Sequence, residues 1–192
     1  ASTFTARVIA STNSDMVSAI TGAIGALKGP AHGGVPGPVL EMLEAIGSPD
    51  RAKAWVRAAL GRGERIMGFG HRVYKVRDPR AEVLERAAEQ LAAHTGDHRL
   101  LELIHEVERV TVRVLSEEKP GHDLYANVEL YAALILHAVG IPPELFTPTF
   151  AASRMAGWTA HVLEQYADNR LIRPQAMYVG PRNLPLVPVQ ER

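Results

Sequence analysis

Apolar residues recur every three or four positions along most of the chain, which is the spacing of amphipathic α-helices. Asp15 is a candidate N-cap and Gly29-Pro30 a stop signal, so we predict a helix over residues 14–28. The same kinds of signal predict further helices after Gly37, at Pro49, at Pro79 and at Asp97, and over residues 125–139 and 149–166. No stretch has the alternation of a convincing strand, so the predicted fold class is all-α.

The apolar positions also predict which helix faces lie inward. The helix that starts at Asp78-Pro79 is predicted to bury Val83, Leu84, Ala87 and Leu91. The helix that starts at Asp97 is predicted to bury a stripe of seven residues: Leu100, Leu103, Ile104, Val107, Val110, Val114 and Leu115. Helix 125–139 has little polar face around Ala132–Leu136, which indicates deep burial. The tail from Arg170 is rich in proline and is expected to be extended.

Composition narrows the possible functions. The chain has 192 residues, enough for one large or two small domains. It carries 21 basic and 21 acidic residues, so its net charge does not favour binding to nucleic acid or to an acidic membrane. The absence of cysteine excludes disulfides, thiolate metal sites and thiol catalysis. The sequence has no apolar run of about 20 residues and no signal-peptide pattern, so the expected location is cytoplasmic.

The stretch Gly68–Lys75 combines glycines, a histidine and cations, and Arg80 follows it closely. Glycine lets the backbone approach a ligand, His71 can exchange a proton near neutral pH, and Lys75 and Arg80 suit anionic groups. The stretch therefore indicates a loop for an anionic ligand. A plain glycine-rich connector is an equally good interpretation of the stretch alone, and it is not a nucleotide-binding motif.

Other polar residues lie at positions where packing of a helical core does not explain them. His32 follows a helix stop, Glu129 begins an apolar helix, and Arg154 lies among apolar residues, with Arg173 further along the tail. Two of these residues have a structural alternative: a loop histidine for His32, and an acid favoured by the helix dipole for Glu129. Taken together, histidines, a carboxylate and arginines suggest a site for a di- or tricarboxylate.

Several stretches, in order and over nearly the whole chain, resemble the citrate synthase family, which includes 2-methylcitrate synthases. The matching stretches are Ala1–Arg7, Leu27–Gly34, Gly68–Lys75, Asp78–Arg80, Asn127–Glu129, Phe146–Pro148, Arg154–Trp158 and Asn169–Pro174. The resemblance implies a multihelical fold and an acyltransferase that condenses acetyl-CoA with oxaloacetate and releases coenzyme A. Propionyl-CoA is the alternative acyl substrate, and no residue decides between the two.

The resemblance also implies roles for the candidate residues. His32 would hydrogen-bond the thioester carbonyl, His71 would polarise the keto group of oxaloacetate, and Glu129 would remove the methyl proton. The residues implied to bind carboxylates are Arg80, Arg154 and Arg173, the last in a neighbouring subunit's site. Those implied to contact coenzyme A are Met67, Gly68, Phe69, Gly70 and Lys75. The thioester is a substrate, and neither a metal nor a tightly bound cofactor is expected.

The sequence departs from the family pattern at two places. Glu129 stands where aspartate is usual, and its extra methylene moves the carboxylate by about 1 Å unless the backbone compensates, a misplacement that can cost on the order of 10²-fold in rate. Val35-Pro36 replaces an alanine and an asparagine after the paired glycines, which suggests a stiffer loop.

The resemblance covers only the later part of the family's chain, beginning just after another oxaloacetate-binding histidine. It implies a complete small domain at 35–134 and parts of a large domain at 1–34 and 135–192. We therefore expect helices 14–28, 125–139 and 149–166 to show apolar faces with no partner in this chain. We further expect a homodimer. A second polypeptide that supplies the N-terminal half and a chain that is a fragment of a longer protein are both compatible with the sequence. A subunit that binds coenzyme A without turnover, and a scaffold without activity, are the alternatives to an enzyme.

Overall fold

The computed structural model describes residues 1–70, 76–118 and 124–191, and over these ranges the chain is built from helices. The α-helices are α1 (Ser2–Ser11), α2 (Met16–Leu27), α3 (Pro36–Ile46), α4 (Ala52–Gly61), α5 (Pro79–Thr95), α6 (Arg99–Glu118), α7 (Val128–Ala138) and α8 (Phe146–Ala167). Short 3₁₀ helices lie at Pro49–Arg51, Pro143–Leu145 and Val189–Glu191. Within the described ranges the β-type pairing is one isolated bridge, between Phe69 and Ala126. The predicted all-α class is confirmed.

Most predicted helix ends coincide with the observed ones. The Asp15 carboxylate accepts a hydrogen bond of 2.9 Å from the Ser18 amide and so caps α2. Gly47, a glycine at a predicted helix end, ends α3 with a φ of 75°, a conformation that glycine adopts without strain. Gly96, which was not predicted as a stop, ends α5 with the same φ. Local chemistry therefore sets these boundaries.

Three helix boundaries differ from the prediction. Helix α1 was not predicted, although it forms a regular helix over Ser2–Ser11. Helix α8 begins at Phe146 and runs through Pro148, because an amide in the first helical turn has no intrahelical partner to lose. Helix α7 begins at Val128 rather than near residue 125, because Tyr125 and Ala126 pair with the loop at Gly68–Gly70.

The predicted inward face of α5 was correct only in part: Leu84 packs against the larger cluster and Leu91 is half-buried, but Val83 and Ala87 are exposed. Val83 is 64% exposed, and the residues that α5 buries are Ala81, Ala88 and Ala92. These alanines let the α5 backbone approach its neighbours closely, and the larger Val83 is left on the opposite side. Helix α6, in contrast, buries the stripe that its spacing predicts, including Ile104, which is fully buried.

The buried apolar side chains form two clusters. The larger cluster is built from α3 to α7, with Phe146 at the start of α8. The smaller cluster joins α1, α2 and α8 through small and large residues that include Ala6, Leu27 and Trp158. Thr147 connects the two parts of the chain, because its hydroxyl donates to the Gly33 carbonyl at 3.2 Å. The domain limits at residues 34 and 135 stay a prediction.

Apolar side chains are exposed on two of the three helices for which we expected them. Val17 on α2 is 74% exposed and Leu163 on α8 is 58% exposed. The expectation was wrong for α7, which buries Leu130 and Tyr131 completely in the larger cluster. No helix in the described part of the chain is long and apolar enough to cross a membrane.

The tail after α8 has no helix or strand in its described residues before the short 3₁₀ helix at Val189–Glu191, and the predicted extended conformation stays a prediction. The Asn169 side-chain amide donates to the Ser11 carbonyl at 3.1 Å, and the Ile172 amide donates to the Ser11 hydroxyl at the same distance. Beyond this anchor large apolar side chains face outward, among them Met177 at 84% exposure.

Candidate active site

The glycine loop at Gly68–Gly70 is held against the segment that leads into α7. The Gly70 amide donates to the Tyr125 carbonyl at 2.8 Å, and the Asn127 amide donates to the Gly68 carbonyl at 2.9 Å. The Asn127 side chain adds a third bond, to the Gly70 carbonyl at 3.0 Å. The loop is thereby fixed by partners more than fifty positions later in the sequence.

Both loop glycines are required by the backbone. Gly68 and Gly70 each have a φ of 81°, in the left-handed region that side chains disfavour. A Cβ at Gly68 would lie 3.1 Å from Leu130 on α7, and one at Gly70 would lie 3.2 Å from Leu124. These contacts bring the loop backbone directly against the first turn of the helix that carries Glu129.

Asp78 caps two helices at once and also holds Arg80. Its side chain is 1% exposed. It accepts bonds from the Arg80 amide at 3.0 Å, at the start of α5, and from the Val128 amide at 3.3 Å, at the start of α7. The Arg80 guanidinium donates to both carboxylate oxygens, at 3.0 and 2.7 Å. Burial raises the pKa of Asp78, but these hydrogen bonds outweigh it and hold the pKa below its ordinary value.

Glu129 lies in the first turn of α7, next to these elements. Its amide donates to the Asn127 side-chain oxygen at 3.2 Å, so Asn127 caps α7 and holds the loop at the same time. The Glu129 side chain is half-buried, and its Oε2 atom is shielded from solvent. Asn127 and Asp78 therefore bring together the predicted base Glu129, the predicted anion ligand Arg80 and the predicted coenzyme loop.

His32 belongs to a second group of residues, at the other apolar cluster. The indole nitrogen of the fully buried Trp158 donates to the Ser2 hydroxyl at 3.3 Å. The Ser2 oxygen lies 2.9 Å from Nε2 of His32. Burial lowers the pKa of His32, and the positive charge of Arg154 lowers it further. The imidazole is therefore favoured in its neutral form near neutral pH.

The paired glycines after His32 allow the loop to fold tightly. A Cβ at Gly33 would lie 2.7 Å from Leu27, and one at Gly34 would lie 2.7 Å from the Lys28 carbonyl. No side chain fits there without a shift, so the two glycines set the course of the chain that presents His32. Arg154 on α8 acts on His32 through its charge, and its guanidinium carbon lies 5.3 Å from the centre of the Phe150 ring on the same helix.

Four other predicted site residues complete the set: one on the exposed tail, one directly before the glycine loop, and two outside the described residues. Arg173 is on the exposed tail, where its guanidinium donates to the Pro174 carbonyl at 2.7 Å. Met67 is half-buried and packs against the larger apolar cluster. His71 and Lys75 lie outside the residues that the structure describes. The roles predicted for all four stay predictions.

Sequence reasoning missed four residues that support the site. Asp78 and Asn127 were noticed only as a helix start and as a neighbour of Glu129, although both are frequent cap residues. Each of them also binds a distant element, and nothing in the neighbouring sequence predicts that second bond. Ser2 and Trp158 lie 156 positions apart and were not connected at all.

A possible metal cluster lies on α5 and α6. Among the described residues, Glu85, Glu89 and His105 each offer a ligand atom, and these atoms lie within 4.8 Å of one another. The Glu85 carboxylate already pairs with Arg77 at 2.8 Å. The expectation that no metal is needed stays a prediction.

The sequence and fold match proteins of one family. Residues 1–175 match the family described as citrate synthase, C-terminal domain. The chain is 51% identical to citrate synthase 2 of Bacillus subtilis and 44% identical to the 2-methylcitrate synthase of Shewanella oneidensis, with its whole length aligned in both cases. The aligned part covers 50% of the first protein and 49% of the second, so the chain spans about half the length of these relatives.

A solved structure of similar fold contains ligands. It is a ternary complex of the citrate synthase of Thermoplasma acidophilum with carboxymethyl coenzyme A and oxaloacetate. The chain is 37% identical to that protein and superimposes with a TM-score of 0.88, covering all of this chain and 51% of the other. The family match, the identities and the shared fold agree, and the chain belongs to the citrate synthase family.

Proposed function

We propose that the protein containing this chain is an acyltransferase that condenses acetyl-CoA with oxaloacetate and hydrolyses the product thioester to citrate and coenzyme A. The observation that carries the proposal is the grouping of Arg80, the loop at Gly68–Gly70 and the shielded carboxylate of Glu129 around Asp78 and Asn127. A carboxylate shielded from water, at the start of a helix whose capping residue also holds a glycine loop, suits proton removal next to a bound anion. The coenzyme A analogue and oxaloacetate in the Thermoplasma enzyme are consistent with this choice of substrates.

In the proposed reaction, Glu129 takes a proton from the thioester methyl group. The resulting carbanion is stabilised as an enol or enolate, because His32 hydrogen-bonds the thioester oxygen. The enol carbon then attacks the keto carbon of oxaloacetate, and the keto oxygen receives a proton from His71. Arg80, Arg154 and Arg173 bind carboxylates, and residues 67–70 with Lys75 contact coenzyme A.

The contacts of His32 support its role as a neutral hydrogen-bond donor. The Trp158 indole can only donate, so the Ser2 hydroxyl accepts from it, and the hydrogen of this hydroxyl is available for Nε2 of His32 in the Nδ1–H tautomer that we propose. A neutral imidazole that accepts at Nε2 carries its proton on Nδ1. This leaves Nδ1–H to donate to the thioester oxygen, where negative charge develops.

The test of catalysis is thiol release from acetyl-CoA in the presence of oxaloacetate. Glu129→Gln removes the base without changing the size of the side chain, and we expect kcat to fall by about 10²- to 10⁴-fold. Glu102→Gln is the matched control, because Glu102 is also an acid in the first helical turn, on the exposed side of α6. His71→Ala is expected to lose activity as well. Equal activity of wild type, Glu129→Gln and His71→Ala contradicts the assigned roles.

A second candidate is 2-methylcitrate synthase activity with propionyl-CoA, favoured by the similarity to the Shewanella enzyme. The two acyl groups differ by one methylene, which is worth about 1–3 kcal/mol of discrimination. The ratio of kcat/KM for acetyl-CoA and propionyl-CoA, measured on one preparation, decides between them. A ratio above one favours citrate synthase, and a ratio below one favours the alternative.

A third candidate is coenzyme A binding without turnover by this chain alone. It is favoured because the chain spans about half the length of its relatives. Calorimetry with coenzyme A, paired with the turnover assay, separates the cases. Binding without thiol release supports this candidate, and thiol release by the chain alone rejects it.

We also propose that the protein is a homodimer. The exposed apolar side chains of α2 and α8, such as Val17 and Leu163, support an interface, because burial of apolar side chains away from water is favourable. Size-exclusion chromatography with light scattering measures the mass directly. A well-behaved monomer contradicts this part of the proposal.

A further inference from the structure

Helix α7 has a polar anchor on the side that faces away from Glu129. Successive residues of an α-helix are about 100° apart, so Tyr131 points about 200° away from Glu129 around the helix axis. Tyr131 is fully buried, yet it carries a hydroxyl group that must find polar partners. Those partners come from three other elements of the fold.

The Tyr131 hydroxyl lies at the centre of a small ionic network. It is 2.6 Å from Oε2 of Glu108 on α6, 3.1 Å from Oε1 of Glu85 on α5, and 3.2 Å from the guanidinium of Arg77. A hydroxyl has one hydrogen to donate, and the shortest distance indicates that Glu108 accepts it. The hydroxyl oxygen in turn accepts from Arg77.

Arg77 holds this network together. It donates to both carboxylate oxygens of Glu108, at 2.7 and 3.1 Å, and to Glu85 at 2.8 Å. Its guanidinium carbon also lies 5.6 Å from the centre of the Tyr131 ring. Bidentate pairs between arginine and carboxylate are directional, so they fix position as well as contributing energy. The network therefore fixes where Tyr131 lies relative to α5 and α6.

The residue that follows Arg77 fixes the beginning of the same helix. The Asp78 carboxylate accepts from the Val128 amide at 3.3 Å, and the Asp78 amide donates to the Ala126 carbonyl at the same distance. Residues 77 and 78 thus hold α7 at two points, one at its N-terminus and one on the face opposite Glu129. A helix held at two such points resists both sliding and rotation.

We propose that Tyr131, bound by Arg77 and Glu108, is a positioning residue that sets the rotation of α7 and with it the place of the Glu129 carboxylate. The inference rests on the proposed function, in which Glu129 is the base. Proton removal is sensitive to such placement, since a misplacement of about 1 Å can cost on the order of 10²-fold in rate. Tyr131 acts through Glu129 and touches no substrate in this proposal.

The test compares Tyr131→Phe with Tyr166→Phe. Tyr166 on α8 is the matched control, because its hydroxyl donates to the Ser14 carbonyl at 2.6 Å, outside the network. We expect Tyr131→Phe to lower kcat at least tenfold, to leave KM for oxaloacetate within twofold, and to raise the isotope effect with deuterated acetyl-CoA. A purely structural role lowers the amount of active enzyme and leaves the isotope effect unchanged, which overturns the inference.

A double-mutant cycle with Glu129→Gln gives a second readout. If Tyr131 acts through Glu129, then Tyr131→Phe has little further effect on kcat once the carboxylate is gone. Multiplicative effects of the two substitutions overturn the inference while the proposed function stands. If Tyr131→Phe fails to fold, Arg77→Lys keeps the charge, loses the bidentate geometry and is expected to raise the isotope effect in the same way.

Amide hydrogen exchange tests the anchor without any assay of activity. We expect Tyr131→Phe to speed exchange in the first turns of α7 at least tenfold relative to Tyr166→Phe. Unchanged exchange there overturns the inference. A wild-type protein that shows no condensation contradicts the proposed function instead, and the exchange measurement then decides the inference by itself.

Discussion

Asp78 offers the sharpest test of how the site is held together. Asp78→Ala removes the acceptor for one amide at the start of α5 and for another at the start of α7. The loss of a helix cap typically costs about 1 kcal/mol, so two lost caps cost about 2 kcal/mol. The ion pair with Arg80 adds less than about 1 kcal/mol, because the Arg80 side chain is 43% exposed and solvent screens it. We therefore expect Asp78→Ala to lower the free energy of unfolding by about 2–3 kcal/mol.

Urea unfolding followed by circular dichroism and by tryptophan fluorescence measures this change. Asp15→Ala is the control, because Asp15 caps α2 alone and lies on the surface. Asp78→Ala should shift the midpoint clearly more than Asp15→Ala does. Equal shifts for the two variants refute the idea that one buried carboxylate serves both helices.

The effect of Asp78→Ala on the free energy of unfolding should depend on pH. The pKa of Asp78 is held below its ordinary value in the folded protein, because the hydrogen bonds from Arg80 and Val128 outweigh the effect of burial. A carboxyl group with a lowered folded pKa contributes stability above its unfolded pKa of about 4 and loses it as the pH falls through the folded value. The stability difference between wild type and Asp78→Ala should therefore shrink below about pH 4. A difference that stays constant down to pH 2 contradicts the assigned hydrogen bonds.

Two further predictions concern the loop and the packing of the helices. Gly68→Ala should destabilise the protein by about 1–3 kcal/mol, because φ is positive there and the new Cβ meets Leu130 at 3.1 Å. Gly61→Ala at the open end of α4 should cost nothing in the same urea titration, and equal effects contradict the close approach. Val107→Ala in the core should cost about 2 kcal/mol, whereas Val83→Ala on the exposed face of α5 should change stability by less than about 0.5 kcal/mol. A larger loss at Val83 than at Val107 contradicts the observed register of α5.

The helices that the sequence predicted best are those with strong local signals. Asp15, Gly47 and Asp78 mark helix ends through bonds and conformations that involve residues within one turn. The regular apolar stripe of α6 also predicted its buried face. The buried face of α5 was predicted only in part. This helix packs mainly through alanines, and a pattern that gives most weight to large apolar residues selected the exposed Val83.

The sequence by itself determined the fold class, most helix boundaries and the identity of the candidate residues. Helix caps, helix stops and short motifs involve residues that are close together in the sequence, so they can be recognised without the structure. Only the tertiary structure decided how those residues are held. The bond from Asn127 to Gly70 joins positions 57 apart, that from Asp78 to Val128 joins positions 50 apart, and that from Trp158 to Ser2 joins positions 156 apart. Local periodicity carries no information about which distant amide or hydroxyl a side chain will meet. That choice depends on how the helices pack around buried surface, and packing is a property of the whole chain.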